Sequence, residues 1–327
     1  MSAAGYNFRM SKLFRDVVGN QDCPQGSVVC IGAFDGLHRG HQALVGHVRA
    51  RARAAGLAAV ALSFEPLPRE FFAPANPPAR LLLPRAKFEG LRAAGMDVVG
   101  LLRFNAAMTA MSAEEFVERV LVQRLSAREV WVGPGFRFGH GRKGDLALLQ
   151  ALGKVHGFAA GEIEPVVDAD GRVSASAVRA HLAAGNLDAA ALALGRRYAI
   201  SGKVVRGKQL GRQLGYPTAN LRLAGKRAAL GGIFAVWVHG IGPGPRAGVA
   251  SLGTRPTVQG VEPLLEAHVF DFDGDLYGRR IEVEFVAKLR DEEKFDDLPA
   301  LVRQMDRDAE QARRALRQDR EEGGVTA

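Results

Sequence analysis

Two folded parts are predicted from this sequence: a parallel-sheet α/β domain over residues 1–196, and an antiparallel β-barrel with a C-terminal helix over residues 197–327. Three observations lead there. In the first part short β-rich runs alternate with helical segments, the pattern of strands joined by covering helices. From Tyr198 onward β-rich runs follow one another across Gly and Pro turns without intervening helices, as in a closed antiparallel sheet. At 327 residues the chain is also longer than one average domain.

The elements follow in order. SVVCIGAF (27–34) is an unbroken apolar run and reads as a buried strand. His38 to Ala55 follows as a helix, then LAAVALSF (57–64) and DVVGLLRF (97–104) as strands. Ser112, with Glu115 three residues on, forms a capping box that opens a helix. EVWVG (129–133) is the next strand, and the helical ASAVRAHLAAGNLDAAALALG closes the part. The barrel strands are YAISGKVVRG, PTANLRL, GIFAVWVHG, RAGVASLG, LLEAHVFDF and RRIEVEFVAKLR. Leu298 to Leu316 places Leu301, Met305 and Ala309 at helical spacing, and the polar tail after Arg317 is expected to fray.

Composition narrows the function classes. A formal charge of +9 suits anionic partners. No dense Lys/Arg block occurs, and Arg49 to Arg53 alternate with Ala as a helix face would. Aromatic-rich basic strands of the kind that read single-stranded nucleic acid are also lacking, so no nucleic-acid partner is expected. Two cysteines, Cys23 and Cys30, rule out a disulfide framework or a Cys-rich zinc site. The first residues lack the apolar core of a signal peptide, and no later run is long enough to span a membrane. A cytoplasmic setting with no membrane partner is expected. The sequence leaves the oligomeric state open, a homo-oligomer included.

GAFDGLHRGH (32–41) is the first candidate site. Gly32, Gly36 and Gly40 remove side chains where backbone must turn or approach a ligand. The turn runs into a helix whose N-terminal amides and dipole suit a phosphate. His38 and His41, three apart, face the same way on the first helical turn and can donate ring N–H groups to a triphosphate or departing pyrophosphate. A lone His-x-x-His is more often a structural pair or a metal site; the strand, glycine turn and helix around it favour phosphate. Further on, VSASAVRAHL puts Ser174 and Ser176 before a helix with Arg179 in its first turn. Ser176 is the expected N-cap.

The second candidate is GKVVRGKQLGRQLGYPTANLRL (202–223). Gly207, Gly211 and Gly215, flanked by Lys208 and Arg212, suit a loop that covers phosphates. Pro217 then leads to the Thr218 hydroxyl and Asn220 carbonyl, hard oxygen donors suited to Mg²⁺ bridging phosphates. A β-turn in which Thr218 and Asn220 satisfy backbone is the plainer alternative, but leaves the glycines and cations unexplained.

The GAFDGLHRGH block resembles the HxGH nucleotidyltransferase superfamily, which joins a phosphate or carboxylate to the α-phosphorus of ATP. Along almost the whole chain GAFDGLHRGH, SFEPLPREFF, GFRFGHGRKGD, SASAVR, GRQLGYPTANL, GTRPTV, EAHVFDFDGDLYG and LRDEEKF occur in order. Together they resemble the bifunctional bacterial riboflavin kinase/FAD synthetase (FMN adenylyltransferase) family. The resemblance implies a Rossmann-like α/β nucleotidyltransferase domain followed by a riboflavin kinase barrel. It implies ATP as co-substrate, Mg²⁺ as cofactor, and conversion of riboflavin to FMN and then FAD with release of pyrophosphate.

Roles follow from the same resemblance. His38 and His41 stabilise the transition state and leaving group, and Gly32, Phe34, Asp35 and Gly36 shape the nucleotide pocket with Ser174, Ser176 and Arg179. In the kinase, Gly211, Arg212, Gly215, Pro217, Thr218 and Asn220 hold ATP, the last two with Mg²⁺. Glu266 is the catalytic base and lies against the flavin with Arg290 and Phe295. On its own, Glu266 reads as a solvent-facing strand residue. Three positions depart from the family pattern: Leu67 for a His, Gly135 for an Asp or Asn, and Ala175 for a Ser. All lie in the adenylyltransferase part, so a kinase with a degenerate first domain that only binds or regulates is the alternative expectation.

Overall fold

The computed structural model describes residues 11–207, 211, 214–257 and 260–323, those at 254–257 and 260–262 by backbone alone. Lys208 and Arg212 lie outside the described residues. The chain divides into two compact units, one from residue 1 to Pro78 with Pro84–Ser174, the other Ala79–Leu83 with residues 175–327.

The first unit is built on six parallel strands in the order β1 (Lys12–Phe14), β4 (Val98–Arg103), β3 (Ala58–Glu65), β2 (Ser27–Ile31), β5 (Ala127–Val132), β6 (Ala159–Glu162). Every residue of β2 is buried, as expected of a central strand covered on both faces. Its helices are α1 (Arg39–Ala55), α2 (Pro68–Phe72), α3 (Pro84–Ala93), α4 (Ala106–Ala110), α5 (Ala113–Phe116) and α6 (Leu146–His156). Ser112 and Glu115 cap α5 reciprocally: Ser112 Oγ accepts from Glu115 N at 3.1 Å, and Glu115 Oε2 accepts from Ser112 N at 3.2 Å. Val29, Ile31, Val60, Leu62, Val130 and Val132 form the core with Phe116 and Leu121. Strand order runs outward from β2 in one direction through β3 and β4, and in the other through β5 and β6. The crevice at that reversal is where open parallel sheets bind ligands. A short hairpin, β7 (Val167–Asp168) and β8 (Gly171–Arg172), precedes the second unit.

The second unit begins with α7 (Ala175–Ala183) and α8 (Leu187–Leu194). Because α7 starts at Ala175, Ser176 is not its N-cap; it sits inside the first turn, and Ser174 precedes the helix. A closed antiparallel barrel follows in the order β10 (Thr218–Arg222), β13 (Gly260–Val269), β12 (Arg246–Thr257), β11 (Gly232–His239), β14 (Arg280–Arg290), β9 (Ala199–Val205). Closure leaves no unpaired sheet edge.

Helix α9 (Leu298–Glu321) lies on the barrel, with Ala309, Ala312 and Leu316 packed among Ala235 and Trp237 of β11. The expected fraying after Arg317 does not occur: the helix continues to Glu321. The reason is Asp319, which is 8% exposed, accepts from Trp237 Nε1 at 2.8 Å and pairs with Arg197. A polar tail is thereby held by one buried carboxylate. Asp319→Ala should leave the indole N–H without its acceptor, take one carboxylate from Arg197 and destabilise this unit by about 2 kcal/mol. Urea unfolding followed by Trp fluorescence measures it.

Candidate active sites

In the first unit the backbone leaves β2 through a strained turn. Phe34 and Leu37 are held at φ of 48° and 46°, a region that side-chain-bearing residues rarely adopt, and Gly36 at 88°. Phe34 and Asp35 are buried at 0% and 1% exposure. His38 is the N-cap of α1, its Nδ1 accepting from the His41 backbone N–H at 3.4 Å. The two imidazoles stack at 3.7 Å, and Phe34 stands 5.2 Å from His41. A Cβ on Gly40 would lie 3.2 Å from the His38 ring and 3.6 Å from the Val173 carbonyl. Glycine there lets the strand leading to Ser174 pass close to the histidine turn.

Burial, then His38 and then Lys87, holds the His41 pKa well below the ordinary imidazole value. His41 is therefore neutral at physiological pH, with one ring N–H to donate, and its Nδ1 has no hydrogen-bond partner among the described residues. Gly32, Phe34, Asp35, Gly36, His38 and His41 are thus brought together, with Ser174 beyond Val173. Arg179 is engaged in its own unit, where its Nε donates to the Ala79 carbonyl at 2.6 Å.

The departures have local explanations. Leu67 is the N-cap of α2, where its backbone N–H donates to Glu70 Oε2 at 3.0 Å; its side chain is 4% exposed. Gly135 adopts φ of 74°, a left-handed conformation that Asn and Asp tolerate next best, and its N–H donates to Glu162 Oε2 at 3.1 Å. Ala175 opens α7.

Two features escaped the reading of the sequence. Phe71, Phe72 and Phe104 meet edge-to-face at 5.5–5.8 Å, with Phe72 66% exposed, an apolar wall formed by residues from α2 and the end of β4. Lys87 on α3 is 0% exposed and ion-pairs with Glu65 at 2.7 Å. Its signal was available: a lysine four residues before Leu91 falls on the helix's apolar face.

In the second unit, alternation along β10 turns Thr218 and Asn220 to one face. Antiparallel register sets Glu266 of β13 directly opposite Asn220, and Ser251 of β12 directly opposite Glu266. Asn220 is 4% exposed; its Nδ2 donates to the Thr218 carbonyl at 3.2 Å, while Oδ1 has no partner among the described residues. A Cβ on Gly207 would come within 2.6 Å of that oxygen, so glycine is required for the loop to cross there.

Gly211, Thr218, Glu266, Arg290 and Phe295 line one cleft of about 710 Å³. Gly215, at φ of 85°, and Pro217, whose carbonyl lies 2.9 Å from His268 Nδ1, lead into β10 beside it. Arg290 is gripped by Asp308 of α9, at 2.9 Å from Nε and 2.7 Å from Nη2, and its guanidinium lies 5.7 Å from the Phe295 ring. Asp308, which the sequence reading passed over, raises the Arg290 pKa further and fixes the direction of its charge. Glu292 shares the cleft, its carboxylate occupying the space that Gly253 leaves without a side chain.

The profile of the FAD synthetase family matches residues 20–177, and that of the riboflavin kinase family matches residues 194–316. The bifunctional riboflavin kinase/FMN adenylyltransferase of Escherichia coli K12 is 42% identical over 303 residues, covering 92% of this chain and 97% of the relative. The protein of the same description from Pseudomonas fluorescens is 45% identical over 292 residues, covering 88% and 93%. A crystal structure described as a macrolide-efflux protein from Streptococcus pneumoniae superposes with a TM-score of 0.75 at 30% identity, covering 93% of this chain and 98% of that one. Among the described residues no helix is long and apolar enough to cross a membrane. With both family domains in order and relatives matched nearly end to end, the chain belongs to the bifunctional riboflavin kinase/FMN adenylyltransferase family.

Proposed function

We propose that this enzyme phosphorylates riboflavin to FMN in its barrel and adenylylates FMN to FAD at the histidine turn, using ATP in both steps. The observation that carries the reading is the pairing, in one chain, of a strand–turn–helix phosphate site with a barrel cleft that sets Glu266 opposite Asn220. The division of labour is proposed as residues 1–196 for adenylyl transfer and 197–327 for phosphorylation. A cytoplasmic setting belongs to the same reading, and both cysteines are buried thiols.

In the kinase step Glu266 accepts the proton of the riboflavin 5′-hydroxyl as that oxygen attacks the γ-phosphorus and ADP leaves. Arg290, aimed by Asp308, and Phe295 hold the flavin. Gly211, Gly215 and Pro217 border the ATP site. The unpartnered Asn220 carbonyl beside the Thr218 hydroxyl is the donor set a hard cation takes, so these residues fit Mg²⁺. Mg²⁺ there supplies charge neutralisation on the phosphates.

In the adenylyl step an FMN phosphate oxygen attacks the α-phosphorus of ATP and pyrophosphate leaves. No proton need move to a protein group, so catalysis is positioning and charge stabilisation. The amides that open α1 and the His38 and His41 rings surround the leaving phosphates, with Gly32, Phe34, Asp35 and Gly36 beneath the nucleotide. Ser174, beyond Val173, completes the nucleotide site. The Phe71, Phe72 and Phe104 wall offers an apolar surface to the isoalloxazine ring.

Incubation with riboflavin, ATP and Mg²⁺, followed by chromatography, should show FMN appearing first and FAD after it; formation of neither would overturn the proposal. Glu266→Gln should slow FMN formation by roughly 10²- to 10⁴-fold while FMN supplied directly is still converted to FAD. Asn220→Leu tests the cation site separately. Its Oδ1 has no partner to lose, so the ligand-free melting curve should move by no more than about 1 kcal/mol of stability. The stabilisation that Mg²⁺–ADP confers on the barrel should disappear, as read by differential scanning calorimetry.

A further inference from the structure

Helix α3 carries a charged group that the proposed chemistry does not use. Lys87 is 0% exposed, and an ammonium is buried so deeply only where partners compensate its lost hydration. Its Nζ lies 2.7 Å from Glu65 Oε1, 3.3 Å from Ser63 Oγ and 3.5 Å from the Phe64 carbonyl. Ser63, wholly buried on β3, in turn donates its hydroxyl to the Ala33 carbonyl at 3.0 Å. Ala33 stands between Gly32 and Phe34. A hydrogen-bonded chain therefore runs from α3 through β3 to the backbone of the histidine turn, just ahead of the left-handed residues Phe34, Gly36 and Leu37.

The helix touches the same turn a second time. A Cβ on Gly90, one turn beyond Lys87, would fall 2.4 Å from Leu37 Cδ1. So α3 braces the turn at both ends, by a polar chain at Ala33 and by direct packing at Leu37. Strain of this kind persists only where the surroundings over-determine it. An ion pair of no further use is also a poor way to fill a core, since apolar residues of similar volume are often as stable or more so. A positive charge in a low-dielectric interior, by contrast, acts strongly on groups nearby. The titratable and charged groups bearing on His41 are His38 on its own turn and Lys87 on α3, the latter paired to Glu65 of β3.

We propose that Lys87 is a positioning residue for adenylyl transfer: through Ser63 it holds the Gly32–Leu37 turn in its ATP-binding shape. This rests on the reading of that turn as the ATP site for FAD synthesis. The two can be told apart. If the unmodified enzyme forms no FAD, the reading of the turn fails; if it does and the variants below match it, only the role of Lys87 fails.

The test compares Lys87→Met, Glu65→Gln, the double variant and Ser63→Ala in the full chain, with riboflavin phosphorylation in the same molecule as an internal control. Lys87→Met should lower kcat for FAD formation roughly 10- to 100-fold, the scale of a small misplacement at a reacting centre, and leave phosphorylation unchanged. Removing a nearby positive charge makes His41 easier to protonate. Its pKa rises, and the acid limb of the adenylylation profile should move to higher pH. The double variant removes the orphaned Glu65 charge and should recover thermal stability without recovering the rate.

Ser63→Ala breaks the chain but leaves the charge, so it should lower kcat while the acid limb stays in place. It also keeps the proposal testable if Lys87→Met fails to fold. Recovery of rate together with stability in the double variant would show a merely structural pair and overturn the proposal. An unchanged kcat in a folded Lys87→Met or in Ser63→Ala would do the same.

Discussion

A buried polar atom left without a partner costs about 1–3 kcal/mol, and that cost organises both units of this protein. Away from the sites such atoms find partners within the chain: Asp319 takes Trp237 and Arg197, and Ser112 and Glu115 cap each other. At the two sites some do not. Asn220 Oδ1 and His41 Nδ1 are buried without partners among the described residues, each at a candidate site. His47 Nε2 is unpartnered too, edge-on to Trp131, and no ligand explains it.

The two candidate sites are built in different ways. In the sheet unit the decisive element is a turn whose shape is imposed: left-handed backbone at Phe34 and Leu37, a histidine N-cap, and a helix start that offers amides and dipole to phosphate. In the barrel unit it is register. Glu266 faces Asn220 because β13 pairs with β10 in this register; a slip of one residue would turn it to the other side of the sheet. A turn can be reshaped by its supports, which gives Lys87 and Ser63 leverage. A closed barrel allows much less.

Electrostatics follows the same division. The histidine turn is largely buried, with neutral His41, Asp35 and the α1 dipole in it and the Lys87–Glu65 pair behind it. The barrel cleft mixes the carboxylates Glu266, Glu292 and Asp308 with Arg290. Arg290, Arg197 and Lys87 are paired to carboxylates, so the +9 excess of the chain is carried by other cations.

What could be read directly from the sequence was whatever depends on neighbours along the chain. Apolar runs marked the strands, Ser112 and Glu115 marked a helix start, and GAFDGLHRGH declared a strand, a turn and a helix because its glycines and histidines act within a single turn of backbone. PTAN with its flanking glycines was legible for the same reason. Glu266 was not: taken alone it is a strand carboxylate, and only resemblance marked it as the base. Ser176 was read as a cap by spacing, yet α7 begins one residue earlier. The polar end of α9 looked like a fraying tail, until Asp319 met a tryptophan and an arginine from strands far away in sequence. The chain Lys87–Ser63–Ala33 likewise joins a helix, a strand and a turn. Local propensity can specify elements and their caps, but which buried charge meets which partner is settled only when distant segments pack, because desolvation and pairing depend on the surroundings in space.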